Sequence, residues 1–290
     1  MDTKSKISQN VQVAVRIRNH FVNTANEKKV NYDGTAVVVK AESFDSIKKT
    51  FSSVVIHDPE KRKGTRVFAY DRVFNKNDSQ EQVFAVVKPI IDRCMEGFNG
   101  CIFAYGQTGS GKTYTMQGSD LSNERGVMPR VIEQITAAIA DGEKKGIEYN
   151  VTGSYLEIYQ EQLRDLLVSD EEQGGNINKK RSKIHLIDLA GSERVESTGA
   201  TGTRLKEGSS INMSLSSLGN VINALSSGNT HIPYRDSKLT YLLSDSLGGN
   251  SITLILAISY DETIGTLKFA ERAKKVKNNA IINLDPQSRK

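Results

Sequence analysis

The sequence predicts an α/β fold, in which a central, mostly parallel sheet is covered by helices on both faces to form a three-layer sandwich. Strand-like apolar runs alternate along the chain with segments whose apolar residues recur at helical spacing. Two of the apolar runs end in residues suited to phosphate or metal, a glycine-rich loop after one and an aspartate after the other. Strands that alternate with helices pair in parallel, because each helix carries the chain back across the sheet.

Composition and charge limit the classes of protein that fit this sequence. The 290 residues are 37% hydrophobic and 25% charged, which is typical of a soluble domain large enough to bury one core. No apolar run approaches the roughly 20 residues of a membrane helix, and the N-terminus lacks the apolar region of a signal peptide, so we expect no membrane insertion. The net charge of +5 permits docking on an acidic surface without demanding it.

The first half of the chain contains a strand, a peripheral region, a helix and a buried strand. Alternating apolar and polar residues predict a strand at 11–18, and residues 21–75 are interpreted as peripheral strands and loops. Ser79 and Gln82 have the spacing of a capping box, which opens a helix. Cys94 on this helix and Cys101 in the buried strand 101–105 both have apolar surroundings, so reduced core thiols are favoured over a disulfide.

The second half repeats the alternation of strands and helices. Helical spacing predicts helices at 128–140 and 161–168, with a strand at 149–159 between them and another at 184–189 after them. A further amphipathic helix ends near Gly228, and its apolar stripe is Ile211, Leu215, Leu218, Ile222 and Leu225. A last core strand at 252–258 precedes a helix at 261–276 and a polar tail.

The glycine-rich loop fits a phosphate-binding pattern. Residues 106–113 read Gly-Gln-Thr-Gly-Ser-Gly-Lys-Thr and match GxxxxGK[ST], the phosphate loop of P-loop NTPases. Backbone N–H groups of such a loop surround the phosphates, the lysine reaches the terminal ones, and the last hydroxyl ligates Mg²⁺. The alternative is an ordinary glycine-rich turn, which the strand before the loop and the helix start after it make less favourable.

The second functional segment follows the strand at 184–189. Asp188 ends this apolar run, and Gly191 follows it closely. Nucleotide hydrolases with a phosphate loop hold Mg²⁺ with an aspartate. A nearby glycine lets a backbone N–H approach the γ-phosphate. Taken alone, the segment is equally well explained as an ordinary strand-to-loop turn; its pairing with residues 106–113 favours a nucleotide site.

Several stretches together resemble the kinesin motor domain. The most specific are FAYGQTGSGKTYTM at 103–116, LIDLAGSER at 186–194 and HIPYRDSKLT at 231–240. Supporting matches are YLEIYQEQLRDLL at 155–167, GTRLKEGSSINMSLSSLGNVINAL at 202–225, SLGGNS at 246–251 and DETIGTLKFAERAKKVKN at 261–278. They occur in the family's order over nearly the whole chain. The resemblance implies a P-loop NTPase-type fold, with a motor domain at 1–276 and a neck linker at 277–290.

The resemblance also implies roles for individual residues in an ATPase that uses ATP, ADP and Mg²⁺. Lys112 would hold the β- and γ-phosphates, and the Gly191 amide would contact the γ-phosphate. Glu193 would belong to the catalytic relay that leads to the attacking water. Thr113 would ligate Mg²⁺ and Asp188 would hold it through water. The implied nucleotide-binding residues are Arg16, Gly106, Gln107, Thr108, Gly109, Ser110, Gly111, Lys112, Thr113 and Tyr114.

Two of these residues, Arg16 and Tyr114, occupy positions that flank the adenine in the family. Stacking of Tyr114 on the base is chemically reasonable. The alternative is that Tyr114 only covers the adjacent helix.

Microtubules are the implied partner, in the cytoplasm and on the cytoskeleton. Because tubulin's surface is acidic, Lys206, Arg235 and Lys238 are expected contacts, with a solvated helix face as the alternative for each. The loop 226–230 has no lysine cluster, which argues against strong electrostatic tethering. A head followed by a linker is typical of motors that walk toward the plus end, and dimerisation would use a region outside this chain.

The sequence departs from the family in three places. The family's switch I, an Asn followed by SSRSH, is absent, because residues 168–184 connect the flanking motifs directly. That segment supplies a serine for Mg²⁺ and an arginine that pairs with Glu193. Ser259 and Tyr260 join the last strand to the final helix without a loop, and Asn19 stands where a proline is usual. We interpret the first two departures as residues omitted from the sequence, with the numbering closed over the gaps; a genuine deletion would leave at best a nucleotide-binding relic.

Two other functions remain as alternatives to a microtubule-stimulated ATPase motor. A non-hydrolysing microtubule-binding module is favoured by the missing switch I. A nucleic-acid-linked P-loop ATPase or a small GTPase is disfavoured, since the charge is mild and no aromatic–basic stripe or guanine-specifying element is present. We therefore expect no nucleic-acid partner.

Overall fold

The structure, a computed structural model, describes most of the chain. The described residues are 6–17, 38–45, 50–57, 65–75, 77–119, 123–167, 182–192, 203–259 and 263–283. The strands among them are β1 (Lys6–Asn10), β2 (Gln12–Ile17), β3 (Val38–Asp45), β4 (Thr50–His57), β5 (Thr65–Phe74), β6 (Gly100–Tyr105), β7 (Leu156–Tyr159), β8 (Gln162–Asp165), β9 (Ile184–Asp188), β10 (Ile252–Ser259) and β11 (Lys277–Ile281). The helices are α1 (Gln80–Met95), α2 (Lys112–Met116), α3 (Val127–Lys144), α4 (Thr203–Ser226), α5 (Lys238–Leu242) and α6 (Thr263–Ala273), with a 3₁₀ turn at Tyr234–Asp236.

The central sheet has seven strands in the order β3-β4-β5-β2-β10-β6-β9. Strands β5, β2, β10, β6 and β9 pair in parallel, whereas β3, β4 and β5 pair antiparallel at the other edge. Antiparallel neighbours need only short connections, which suits the peripheral region predicted before residue 75. The predicted α/β class is confirmed, with a mixed sheet that is parallel where it is most buried.

Helices cover both faces of this sheet because its central strands are apolar on both sides. In β6, Cys101 and Phe103 belong to one buried cluster and Ile102 and Ala104 to the other. Successive strand residues point to opposite faces, so this run supplies both layers of core. Helices α4 and α6 contribute to the first cluster and α1 and α3 to the second. The three-layer sandwich predicted from the sequence is confirmed.

The prediction for residues 149–168 is wrong in two respects. Only Leu156–Tyr159 forms a strand in the first part, and Gln162–Asp165, predicted to be helical, is the second strand of a hairpin with it. The turn residues Gln160 and Glu161 have φ of 49° and 56°, the left-handed backbone that a two-residue hairpin turn requires. This hairpin is separate from the central sheet, which leaves β9 at the sheet edge within the described chain.

Both cysteines have the environment expected of core thiols. Cys94 and Cys101 are buried and free. Burial raises the pKa of each thiol to about 12, so both stay protonated at neutral pH and are poor nucleophiles. The predicted reduced core thiols are confirmed.

The first and last described strands pair with each other. Strand β11 runs antiparallel to β1, with Lys6 opposite Ile281. Asn278 is fully buried, and its amide donates to the Ser246 and Ser251 carbonyls at 2.8 Å. The start of the predicted neck linker is therefore ordered against the body, while residues 284–290 lie outside the described residues.

Among the helices that are described, none is long and apolar enough to cross a membrane.

Candidate functional site

The glycine-rich loop lies between β6 and α2, as predicted. Gly106 has φ of 154°, and a Cβ there would lie 2.2 Å from the Ile258 carbonyl oxygen of β10, so a larger residue would push the loop off the sheet. Gly111 begins α2 with φ of 104°, a backbone that side-chain-bearing residues rarely adopt. Glycine at these two positions lets the loop turn tightly at the carboxyl end of the sheet.

Lys112 is held inside this loop. Its side chain is only 7% exposed, and its Nζ donates to the Gln107 carbonyl oxygen at 2.7 Å. A buried ammonium group is costly unless polar groups surround it. The loop thus carries a positive charge, shielded from solvent, where the pattern predicts the terminal phosphates.

Asp188 lies against the first turn of α2. The parallel pairing of β9 with β6 places Asp188 opposite Ala104, next to the start of the loop. The Thr113 hydroxyl donates to Asp188 Oδ2 at 2.7 Å. The structure therefore brings the phosphate loop and the aspartate at the end of β9 together, as predicted.

Polar atoms at this point fit a bound magnesium ion. Asp188 Oδ1 is buried and has no hydrogen-bond partner among the described residues, and the Thr113 hydroxyl lies beside the other oxygen of this carboxylate. Carboxylate and hydroxyl oxygens are the ligands that Mg²⁺ prefers, directly or through its waters. Thr113 and Asp188 are the residues that would hold the ion.

The segment after Asp188 closes one side of the site. The Ser192 backbone N–H donates to the Gly106 carbonyl oxygen at 3.1 Å, which ties this segment to the phosphate loop. Gly191 lines the same cavity as the loop. Glu193, the third predicted catalytic residue, lies outside the described residues.

The cavity has a volume of about 760 Å³ and extends from the loop to Arg16 and Tyr114. The Arg16 guanidinium carbon lies 5.3 Å from the centre of the Tyr114 ring. A base between them would need about 7 Å, twice the contact distance of carbon atoms. In this arrangement the two residues are in cation–π contact with each other, and a base has room against the pair rather than between its members.

Arg16 is fixed by two further hydrogen bonds. Its Nη1 donates to Gln80 Oε1 at 2.7 Å and to Thr115 Oγ1 at 3.0 Å. Burial lowers the pKa of Arg16, while Tyr114 and Asp78 oppose this shift. Neither Gln80 nor Thr115 was predicted to be a site residue. Gln80 lies inside a helix-capping pattern, and Thr115 has no signal beyond its place after the loop.

Two of the three residues predicted to contact microtubules have side chains that the structure describes. Arg235 in the 3₁₀ turn and Lys238 at the start of α5 are both exposed, three residues apart. Lys206 belongs to α4, but its side chain lies outside the described part.

The α4 helix ends before Gly228, whose φ is 71°, in agreement with the predicted stop.

The fold is of the P-loop NTPase type. Its defining features are the order of the sheet strands, the phosphate loop after β6, and the neighbouring strand β9, which ends in Asp188. The model of the kinesin motor domain matches residues 16–180 and 168–276. This chain belongs to the kinesin motor domain family.

Individual relatives agree with this assignment. The kinesin-like protein Klp68D of Drosophila melanogaster is 40% identical over 309 residues, covering 82% of this chain and 39% of the relative. The kinesin heavy chain of Botryotinia fuckeliana is 39% identical, covering 75% and 33%. The chain thus spans about two fifths or less of these relatives.

Solved structures show the same fold. A fast kinesin has a TM-score of 0.74 at 31% identity, over 97% of this chain and 96% of that one. A KIF14 dimer with both heads bound, with AMP-PNP and in complex with a microtubule, has a TM-score of 0.78 at 30% identity over 98% of each chain.

The alignment also bears on the missing switch I. The match to Klp68D runs over 309 positions, more than the 290 residues of this chain, so the relative carries residues that have no counterpart here. The family match is split into two segments that overlap at 168–180. Residues 168–181 and 260 lie outside the described residues, so the interpretation of both joins as omissions stays a prediction.

Proposed function

We propose that this chain is a kinesin motor head that binds ATP with Mg²⁺, hydrolyses it faster on microtubules and moves along them toward the plus end. The contact between Thr113 and Asp188 supports the proposal most directly, because it joins the two magnesium-holding residues beside Lys112. The resemblance of residues 277–290 to a neck linker that follows the head supports plus-end direction.

Hydrolysis at such a site depends on positioning and charge rather than on a covalent intermediate. Lys112 is preorganised to neutralise the terminal phosphates, and Gly191, which lines the same cavity, would contact the γ-phosphate through its amide. Glu193 would pass a proton from the attacking water. Thr113 and Asp188 would hold Mg²⁺, which would supply positive charge to offset the charge that develops on the phosphates.

Microtubules are the partner that fits this head. A related structure contains a microtubule, and exposed Arg235 and Lys238 suit an acidic surface. Lys206 is assigned to the same interface from the resemblance. The protein would act on cytoplasmic microtubules, and dimerisation would depend on a region outside this chain.

A second candidate is a non-hydrolysing head that binds nucleotide and microtubules. The observation that favours it is the missing switch I, because its serine and arginine would otherwise complete the magnesium site and the pair with Glu193. The phosphate loop and Asp188 would still hold Mg²⁺ and nucleotide without them.

Phosphate release from ATP, measured with and without microtubules, separates the two candidates. For the motor, we expect microtubules to raise the turnover at least about tenfold, since release of γ-phosphate would be coupled to docking. Co-sedimentation should weaken as the salt concentration rises, because exposed charge pairs are screened.

Binding to microtubules without stimulated phosphate release would contradict the motor and favour the non-hydrolysing head. A protein that neither binds microtubules nor releases phosphate would contradict both candidates. A preference for GTP over ATP would indicate a different class of P-loop protein.

A further inference from the structure

The strongest unassigned feature near the cavity is the side chain of Gln80. This residue is the first of α1 and is only 3% exposed, although it lies beside the solvent-exposed capping residues Ser79 and Gln82. The capping box joins Ser79 and Gln82: the Ser79 backbone N–H donates to Gln82 Oε1 at 2.8 Å, and the Gln82 backbone N–H donates to Ser79 Oγ at 3.2 Å. Gln80 therefore takes no part in the cap and points inward.

Both ends of the Gln80 amide are used. Its Oε1 accepts from Arg16 Nη1 at 2.7 Å. Its Nε2 donates to the Tyr114 carbonyl oxygen at 2.6 Å and to the Glu124 carbonyl oxygen at 3.2 Å. A glutamine amide has two N–H donors, so both are engaged and the orientation of the side chain is fixed.

These partners come from three separate parts of the cavity wall. Arg16 belongs to β2, Tyr114 to α2 and Glu124 to the segment before α3. Gln80 thus joins the two residues that face the predicted base, one through its guanidinium group and the other through its backbone. Burial makes each of these bonds costly to lose, because the freed groups have limited access to water.

The arrangement continues to the phosphate loop. Arg16 also donates to the Thr115 hydroxyl at 3.0 Å, and that hydroxyl donates to the Gly111 carbonyl oxygen at 2.9 Å. The bond from Arg16 to Gln80 is a further hydrogen bond on the same guanidinium group, whose carbon lies 5.3 Å from the centre of the Tyr114 ring.

We propose that Gln80 is a positioning residue for nucleobase recognition: by holding Arg16 and the Tyr114 backbone together, it fixes the surface against which the base of the bound nucleotide stacks. The inference rests on the proposed nucleotide-binding function and deepens it. Gln80 contributes to binding of the base and leaves binding of the phosphates to the loop.

Calorimetric titration with Mg²⁺ and ADP, and separately with Mg²⁺ and inorganic pyrophosphate, tests this division. Neither ligand is hydrolysed at a γ-phosphate, so binding is measured alone. Replacing Gln80→Leu keeps the side-chain volume and removes all three bonds. We expect affinity for ADP to fall about tenfold, the size of a lost hydrogen bond to a charged group, with affinity for pyrophosphate within twofold of the wild type.

Two further variants show whether the effect is one of positioning. Gln80→Glu keeps the acceptor for Arg16 and loses the donors, so its loss of ADP affinity should be smaller than that of Gln80→Leu. Gln82→Ala, two positions along the same helix, removes one half of the capping box and serves as the control for stability of α1. It should leave the ratio of ADP to pyrophosphate affinity unchanged.

Equal losses of ADP and pyrophosphate affinity in Gln80→Leu would overturn the inference and assign Gln80 a general structural role. An unchanged ADP affinity in a folded Gln80→Leu protein would also overturn it. If the wild type bound pyrophosphate as tightly as ADP, base recognition itself would be absent. If the wild type bound neither ligand, the proposed nucleotide-binding function would fail together with this inference.

Discussion

Replacement of Lys112→Ala is expected to lower ATP turnover by at least about 100-fold, the range seen when one preorganised group that stabilises transition-state charge is removed. Lys112 is buried within the loop, with its Nζ bonded to the Gln107 carbonyl oxygen. Such a charge is available without reorganisation when phosphates bind, which is why its loss should be large. Phosphate release and ADP titration measure the two consequences, and ADP affinity should fall as well.

The same variant distinguishes a site residue from a structural one. Removing a buried ammonium group also removes its desolvation cost, so the free energy of unfolding without nucleotide should change by less than about 1 kcal/mol. Stabilisation by added ADP should largely disappear. Lys88→Ala is the matched control, because Lys88 is exposed on α1 and its ammonium group pairs with Asp92 in the next turn. Normal turnover in Lys112→Ala would contradict the assignment of the phosphate loop.

Replacement of Asp188→Asn should raise the Mg²⁺ concentration needed for nucleotide binding by about 10- to 100-fold, as is typical when a group that supports a metal from its outer shell is changed. Asparagine can keep the 2.7 Å bond from Thr113 and nearly the same shape, so the main change is loss of the negative charge. Titration of ADP retention against Mg²⁺ measures this directly.

Thr113 provides the comparison for the metal site. Thr113→Val removes the hydroxyl and should raise the Mg²⁺ requirement, whereas Thr113→Ser keeps it and should resemble the wild type. If Asp188→Asn and Thr113→Val needed no more Mg²⁺ than the wild type, the ion would be held elsewhere.

The parts of the site that depend on local pattern could be predicted from the sequence. The loop at 106–113 has fixed spacing, and the parallel pairing of β9 with β6 places Asp188 near its start. The amphipathic spacing of α4 and the glycine after it were also sufficient to predict that helix. In each case short-range physical constraints determine the structure.

Other parts depend on contacts between distant residues and could not be predicted in this way. Leu163, Leu166 and Leu167 have helical spacing, yet strand pairing with 156–159 outweighs it, and the turn at Gln160 and Glu161 lacks the Asn-Gly signal of tight hairpins. Gln80 is 34 residues from its partner Tyr114 and 64 from Arg16. Only the folded sheet brings these groups together.

The most direct test of the shared site is a crystal structure of the protein with Mg²⁺ and a non-hydrolysable ATP analogue. We expect the terminal phosphates within hydrogen-bond reach of Lys112 Nζ, with the metal bonded to Thr113 Oγ1 and separated from Asp188 by a water molecule. A nucleotide bound away from residues 106–113, or a metal that contacts neither Thr113 nor the water shell of Asp188, would contradict the proposed nucleotide site.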